Sequence, residues 1–319
     1  MTGVTHEREA AELSRSIFHP NDFMLTLYYT DHHEVVLPPQ HKFPMRKYRL
    51  VRELLSQDRT FQFNPAPMAS ADVIALAHDS DYVERFLAGT LPPQTMRRIG
   101  FPWSQTLVCR TLASVGGTLS ATRDALAVGF GGTLAGGTHH AFRAEGSGFC
   151  VFNDIAVAIC WLRRERSVTR TAVIDLDVHQ GDGTALIFQN DPDVLTVSMH
   201  GRNNFPFRKQ RSKIDVDLED GTDDATYLGS LEPLLSRVAE FAPQAIFYQS
   251  GVDALGCDKL GRLSLTHEGL AQRDRIVMEF SRALDVPFVV TLGGGYGEPI
   301  EQTALAHANT FRTAARVFF

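Results

Sequence analysis

AVIDLDVHQGDG, residues 172–183, begins as a strand and ends in groups that do chemistry. Ala172 to Val178 is a short apolar run rich in β-branched residues, the pattern of a strand buried on both faces. VLTVSMH (Val194 to His200), AIFYQSGV (Ala245 to Val252) and FVVTLGGG (Phe288 to Gly295) repeat it. FMLTLYY (Phe23 to Tyr29) reads as a further strand. Helix-period stretches lie between and around these runs: Arg46 to Leu55, Asn153 to Arg166, Asp223 to Glu240 and His267 to Leu284. Trp103 to Ala127 is a long helix candidate, with Gly116–Gly117 as its weak point. Such alternation implies right-handed βαβ units, hence an α/β fold with a mostly parallel sheet flanked by helices. No linker, repeat or low-complexity tract divides the chain, so residues 1–319 are expected to form a single domain, with residues 1–18 as a flexible lead. In open sheets of this kind ligands bind beyond the carboxyl ends of the strands. Unusual polar residues should therefore sit where the apolar runs end.

Four run ends meet that expectation. In DLDVHQGDG (Asp175 to Gly183), Asp177 and His179 are two residues apart, which on a strand puts both on one face. Three acids, Asp175, Asp177 and Asp182, surround one histidine there, and burying that much charge is costly without a cation. In SGVDALGCD (Ser250 to Asp258), Asp253 follows a strand run and is a candidate third ligand. Read alone, an Asp after a strand is more often a turn former or helix cap. Two carboxylates and an imidazole leave a coordination position open for water, as catalytic zinc requires, and the same donors suit Fe(II). GGTHHAF (Gly136 to Phe142) carries tandem histidines, His139 and His140, which become a general base and acid when carboxylates orient them. Asp175 and Asp182 are available for that. TLGGGYG (Thr291 to Gly297) lets the backbone pass close to a ligand and leaves Tyr296 on the loop, where a phenol can donate to a developing oxyanion. The P-loop and dinucleotide-binding glycine patterns are absent. The remaining histidines, His6 and His19 among them, read as structural or surface residues, with His200 a candidate supporter of the site.

Composition bounds the rest. With 44% hydrophobic and 21% charged residues the chain reads as globular rather than disordered or fibrous. No apolar run reaches the roughly 18 residues of a membrane span. The polar start MTGVTHEREAAELSRS is no signal peptide, so a cytoplasmic protein is expected. The net charge of -6 argues against a nucleic-acid surface. The four cysteines, Cys109, Cys150, Cys160 and Cys257, are far apart and read as reduced thiols.

Together, GGTHHAF, GFCVFND (Gly148 to Asp154), DLDVHQGDG, the Asp253 segment and GGGY resemble, in order and spacing, the zinc-dependent histone deacetylase superfamily. That family includes acetylpolyamine amidohydrolases and acetoin-utilisation proteins. IGFPWS, VGGT and SGVDALGCDKLGRLSLT are most similar to its class IV branch and bacterial relatives. The resemblance runs from about His19 to about Tyr296 and implies an arginase/deacetylase-like fold. It further implies that Asp177, His179 and Asp253 bind zinc, that His139 pairs with Asp175, and that His140 pairs with Asp182 as general base and acid. Tyr296 would polarise the amide carbonyl, and Gly148 and Phe149 would line an acyl-lysine channel. A structural monovalent cation, usually potassium, is implied beside the zinc, at Asp175, Asp177, His179, Ser198 and Met199. The implied reaction is amide hydrolysis of an N-acyl-lysine in a protein or of a small acylated amine, with hydroxamates as inhibitors.

The sequence departs from the family in places. The loop Arg98 to Ser104 lacks the acid that clamps substrate backbone in class I members, and Gln180 replaces the second histidine of DxDxHHG. A rough match places Arg49 where class I enzymes carry an arginine beneath the site. A dinuclear ureohydrolase of the related arginase fold would need DxHxD and DxDxxDP, and DVHQGDG does not supply the first. An inactive recognition module would be signalled by loss of Tyr296 or the histidine pair, and both are present. Acyl length, physiological substrate and oligomeric state are left open, and channel width and mouth charge are the features that would discriminate substrates.

Overall fold

The computed structural model describes residues 24–319. His6, His19 and the flexible lead expected over residues 1–18 lie outside the described residues. The strands are β1 (Leu25–Tyr29), β2 (Phe61–Pro65), β3 (Phe130–Thr133), β4 (Thr171–Asp175), β5 (Val194–Gly201), β6 (Ile214–Leu218), β7 (Ala245–Gln249) and β8 (Phe288–Thr291). The helices are α1 (Lys47–Leu55), α2 (Ala71–Ile74), α3 (Ser80–Leu87), α4 (Pro93–Ile99), α5 (Gln105–Val128), α6 (Asp154–Arg164), α7 (Asp182–Ile187), α8 (Asp224–Gly229), α9 (Leu231–Phe241), α10 (His267–Ala283) and α11 (Ile300–Phe318). All eight strands join one sheet, ordered β2-β1-β3-β8-β7-β4-β5-β6. Every pairing in it is parallel. Helices cover the sheet, so each residue of β4, β5, β7 and β8 is buried, whereas edge strand β2 is mostly exposed. None of the described helices is long and apolar enough to cross a membrane.

Three expectations shift, each for a physical reason. The apolar run Ala172 to Val178 outlasts its strand, since β4 ends at Asp175. Leu176 and Val178 stay buried after the regular ladder stops, held by single main-chain bonds from Leu176 N–H to the Gln249 carbonyl and from Gly201 N–H to the Val178 carbonyl. Asp177 and His179 therefore stand on a loop, and the strand period does not align them. The stretch from Asp223 to Glu240 is two helices, α8 and α9, parted at Ser230. Its hydroxyl donates back to the Thr226 carbonyl at 3.0 Å, a bond that competes with helix continuation. Finally, Gly116–Gly117 is no weak point in α5. A Cβ on Gly116 would lie 1.7 Å from the Pro67 carbonyl oxygen, so the glycine admits a neighbouring backbone. The helix is capped by Ser104, which accepts from the Leu107 N–H, with Trp103 outside it.

Candidate active site

Four loops meet at the carboxyl ends of β3, β4, β7 and β8. The β4 loop supplies Asp177 and His179, and the β7 loop supplies Asp253. Nδ1 of His179 lies 3.0 Å from Asp177 Oδ1 and 3.0 Å from Asp253 Oδ2. One ligand atom from each residue falls within 4.8 Å of the others, and all three side chains are buried. Burial opposes a charge on His179, yet its hydrogen bonds to the Asp177 and Asp253 carboxylates and their charges hold its pKa up at about 10. Burial and the Asp177 charge push Asp253 up to about 7. Two buried carboxylates thus draw a proton onto the imidazole, and a divalent cation is what replaces such a proton. The glycine loop leaves room for it. A Cβ on Gly294 would stand 2.0 Å from Asp253 Oδ2 and 2.8 Å from Asp177 Oδ2. The Gly294 N–H also donates to Asp177 Oδ2 at 2.7 Å. The donor set and the space both fit a metal ion.

The tandem histidines stand beside this cluster. His139 Nδ1 is 2.7 Å from Asp175 Oδ2, and His140 Nδ1 is 2.6 Å from Asp182 Oδ1. Both dyads are buried, which leaves each Nε2 as the remaining ring nitrogen. The two rings sit 4.1 Å apart and repel a double charge. Burial disfavours charge on both. For His139 the charges of Asp175 and Asp177 overcome burial and hold the pKa near about 9. For His140, burial and the neighbouring His139 win over Asp182 and push it down to about 4. The loop that carries them is pinned by Asp154 at the start of α6. Its carboxylate accepts from the Gly137 N–H at 3.0 Å, the Thr138 N–H at 2.7 Å and the Thr138 hydroxyl at 2.6 Å.

Tyr296 lies on the loop after β8, with its ring centroid 6.4 Å from that of His179 and 6.2 Å from that of Phe149. Asp258 fixes this loop. Its Oδ2 accepts from the Tyr296 N–H at 2.6 Å, while Oδ1 accepts from the Leu260 and Gly261 N–H groups. Burial raises the phenol pKa well above its usual value, so Tyr296 stays a proton donor. Gly148 lies against the His140 ring, and Phe149 packs on Phe43 at 5.2 Å and Phe101 at 5.4 Å. Across the opening, Phe205 meets His140 edge-on at 4.9 Å. Asp175 and Ser198 are register partners on β4 and β5, and they share these buried strand ends with Asp177, His179 and Met199. His200 sets Nδ1 2.9 Å from Ser198 Oγ.

Some site residues escaped the sequence reading, and one was misplaced. Arg49 is exposed and pairs with Glu34 at 3.3 Å, so it does not lie beneath the site. Lys47, two residues earlier and buried, takes that place. Its Nζ donates to the Gly293 carbonyl at 3.0 Å and the Gly295 carbonyl at 3.3 Å, under the Tyr296 loop. A helix offset of two turns a side chain to the opposite face, which a rough match does not resolve. Phe205 had no signal beyond an apolar residue in a polar loop. Arg273 on α10 lay far away in sequence, yet its buried guanidinium donates to the carbonyls of Leu176, Ser250 and Gly251, next to the candidate ligands.

Comparison with known proteins shows the family. A family model for the histone deacetylase domain matches residues 41–312. An uncharacterized protein of Picosynechococcus sp. is 43% identical over 88% of this chain and 95% of its own length. Histone deacetylase 6 of Arabidopsis thaliana is 32% identical over 75% of this chain, and acetoin utilization protein AcuC of Bacillus subtilis 33% over 71%. The chain spans 55% of that plant protein and 65% of AcuC.

Proposed function

Because the chain belongs to the histone deacetylase family, which takes in the acetoin-utilisation proteins, we propose that it removes an acetyl or longer acyl group from N-acyl-lysine side chains of cytoplasmic proteins. It is a deacetylase-type hydrolase acting on amides. The observation that carries the proposal is the buried Asp177–His179–Asp253 cluster set beside two histidine–carboxylate dyads.

Asp177, His179 and Asp253 would hold zinc, or Fe(II) on the same donors. When bound, such an ion polarises an acyl carbonyl and acidifies water. The chain's own residues do the rest. His140, oriented through Nδ1 by Asp182, takes a proton at Nε2 from the attacking water and returns it to the leaving amine. His139, held by Asp175, supplies positive charge beside the reacting centre. The Tyr296 hydroxyl donates to the acyl oxygen as it gains charge. Phe149 and Phe205 wall the acyl-lysine stem away from water, with Gly148 giving it passage. A structural potassium ion among Asp175, Asp177, His179, Ser198 and Met199 belongs to the same reading.

A longer acyl group belongs to this reading through the class IV likeness alone. The cavity at the cluster, about 70 Å3, is also lined by Leu107, Thr111 and Ser114 of α5 and by Phe43, Tyr48 and Phe152, a volume that suits a short acyl group. The test is a panel of acetyl-, decanoyl- and myristoyl-lysine peptides and acetylpolyamines with zinc- and iron-loaded enzyme. Release of the acid from at least one lysine peptide, blocked by a hydroxamate, is expected. No turnover of any lysine peptide with either metal overturns the reading.

A further inference from the structure

The channel opens into a groove of about 1140 Å3 bordered by Lys42, Arg97, Arg98, Arg143, Arg208 and Arg262. Against these six cations the groove sets two acids, Glu145 and Asp182. Both acids are already engaged, Glu145 by Arg98 at 2.6 Å and Asp182 by His140 at 2.6 Å. Arg262 is paired with Asp220 at 3.2 Å. Lys42, Arg97, Arg143 and Arg208 are exposed and have no acidic partner among the described residues. The chain as a whole carries -6, so this excess of positive charge is local and not a reflection of composition. Between the cations the groove is apolar, with Phe142, Phe205, Leu260 and a Phe207 that is 86% exposed.

On the deacylase reading above, we propose that the substrate is an acyl-lysine in a peptide segment whose flanking residues are acidic. An acyl-lysine threaded between Phe149 and Phe205 leaves its main chain lying across this groove. Flanking carboxylates then meet free guanidinium groups, which bind carboxylates through paired N–H donors. Unlike charges at a cleft mouth also raise the local substrate concentration and the rate of productive encounter. A polyamine brings ammonium groups to the same rim and is repelled, as is a lysine- or arginine-rich tail. The loop Arg98 to Ser104 contributes to this choice, because it ends a helix bearing Arg97 and Arg98 where a carboxylate would have suited a basic partner.

The experiment compares three acyl-lysine peptides that differ only in four flanking residues, all Glu, all Gln or all Lys, together with an acetylpolyamine. We expect kcat/KM for the Glu peptide to exceed that for the Lys peptide by about tenfold or more at low salt. The ratio should collapse near 1 M salt, where the screening length falls from about 30 Å at 0.01 M to about 3 Å. Reversing two rim charges together, Arg143→Glu with Arg208→Glu, should invert the Glu-to-Lys ratio. That ratio is read on one preparation, so partial misfolding cancels, and the salt series on the unaltered protein needs no variant. Equal kcat/KM for the three peptides, or preference for the polyamine, overturns this proposal and leaves the deacylase reading standing. No turnover of any of the four overturns both.

Discussion

The side-chain amide of Gln180 pairs with the main chain of Gln210 in both directions. Its Nε2 donates to the Gln210 carbonyl at 2.8 Å, and its Oε1 accepts from the Gln210 N–H at 2.8 Å. Nε2 also donates to Asp215 Oδ1 at 2.9 Å. Gln180 directly follows His179, so the loop bearing Phe205 is tied to the candidate metal-binding segment. An imidazole, whose donor and acceptor point apart, cannot copy an edge that gives and receives on one side. Gln180→Ala should free the loop and lower kcat/KM about tenfold, chiefly through KM. Metal content should stay unchanged by elemental analysis. Unaltered kinetics would show that this tether does not position the channel wall.

Tyr296→Phe removes the hydroxyl and little else, since the loop is held by the Tyr296 N–H on Asp258. Losing one oxyanion donor costs about 10²- to 10³-fold in kcat. The variant should keep its metal and its affinity for a hydroxamate. Retention of most of the activity would refute the role given to the phenol.

Asp253→Ala takes one of three ligand atoms from the cluster and leaves His179 with a single carboxylate. The purified variant should hold less than a tenth of the metal of the parent, because a two-ligand site seldom competes with water and buffer. Stoichiometric zinc in that variant would sink the ligand assignment.

His78 offers a pH test away from the chemistry. It is buried, its Nε2 accepts from the Asn153 N–H at 2.8 Å, and burial lowers its pKa to about 4. The unfolded chain takes up a proton near about pH 6.5, and the folded chain refuses it until about pH 4. Stability from this group is therefore intact above pH 6.5 and is lost as the pH falls between those two values. Linkage gives about 2 kcal/mol between pH 7 and pH 5. His78→Gln should flatten that part of the stability profile, measured by denaturant unfolding at both pH values. An equal slope in the variant would place the acid sensitivity elsewhere.

Much of the site was readable because its signals are local. Asp175, Asp177, His179 and Asp182 lie within one nine-residue stretch, and His139 and His140 are neighbours. Their residue types state the chemistry wherever the loops go. The strand runs were equally plain, since burial on both faces demands unbroken apolar stretches. Their ends were overstated, because Leu176 and Val178 stay buried beyond the last ladder pair of β4 at Asp175.

The chain's own order of residues was enough to establish an α/β sheet with acids and imidazoles at the strand ends. Both follow from hydrophobic period and side-chain chemistry, which act over a few residues. Only the folded molecule decided that Lys47 and not Arg49 underlies the Tyr296 loop, that Phe205 packs against His140, and that an acidic chain carries a basic mouth. Those relations join segments from Lys42 to Arg262, and distance in space between such segments is set by packing and not by separation along the chain.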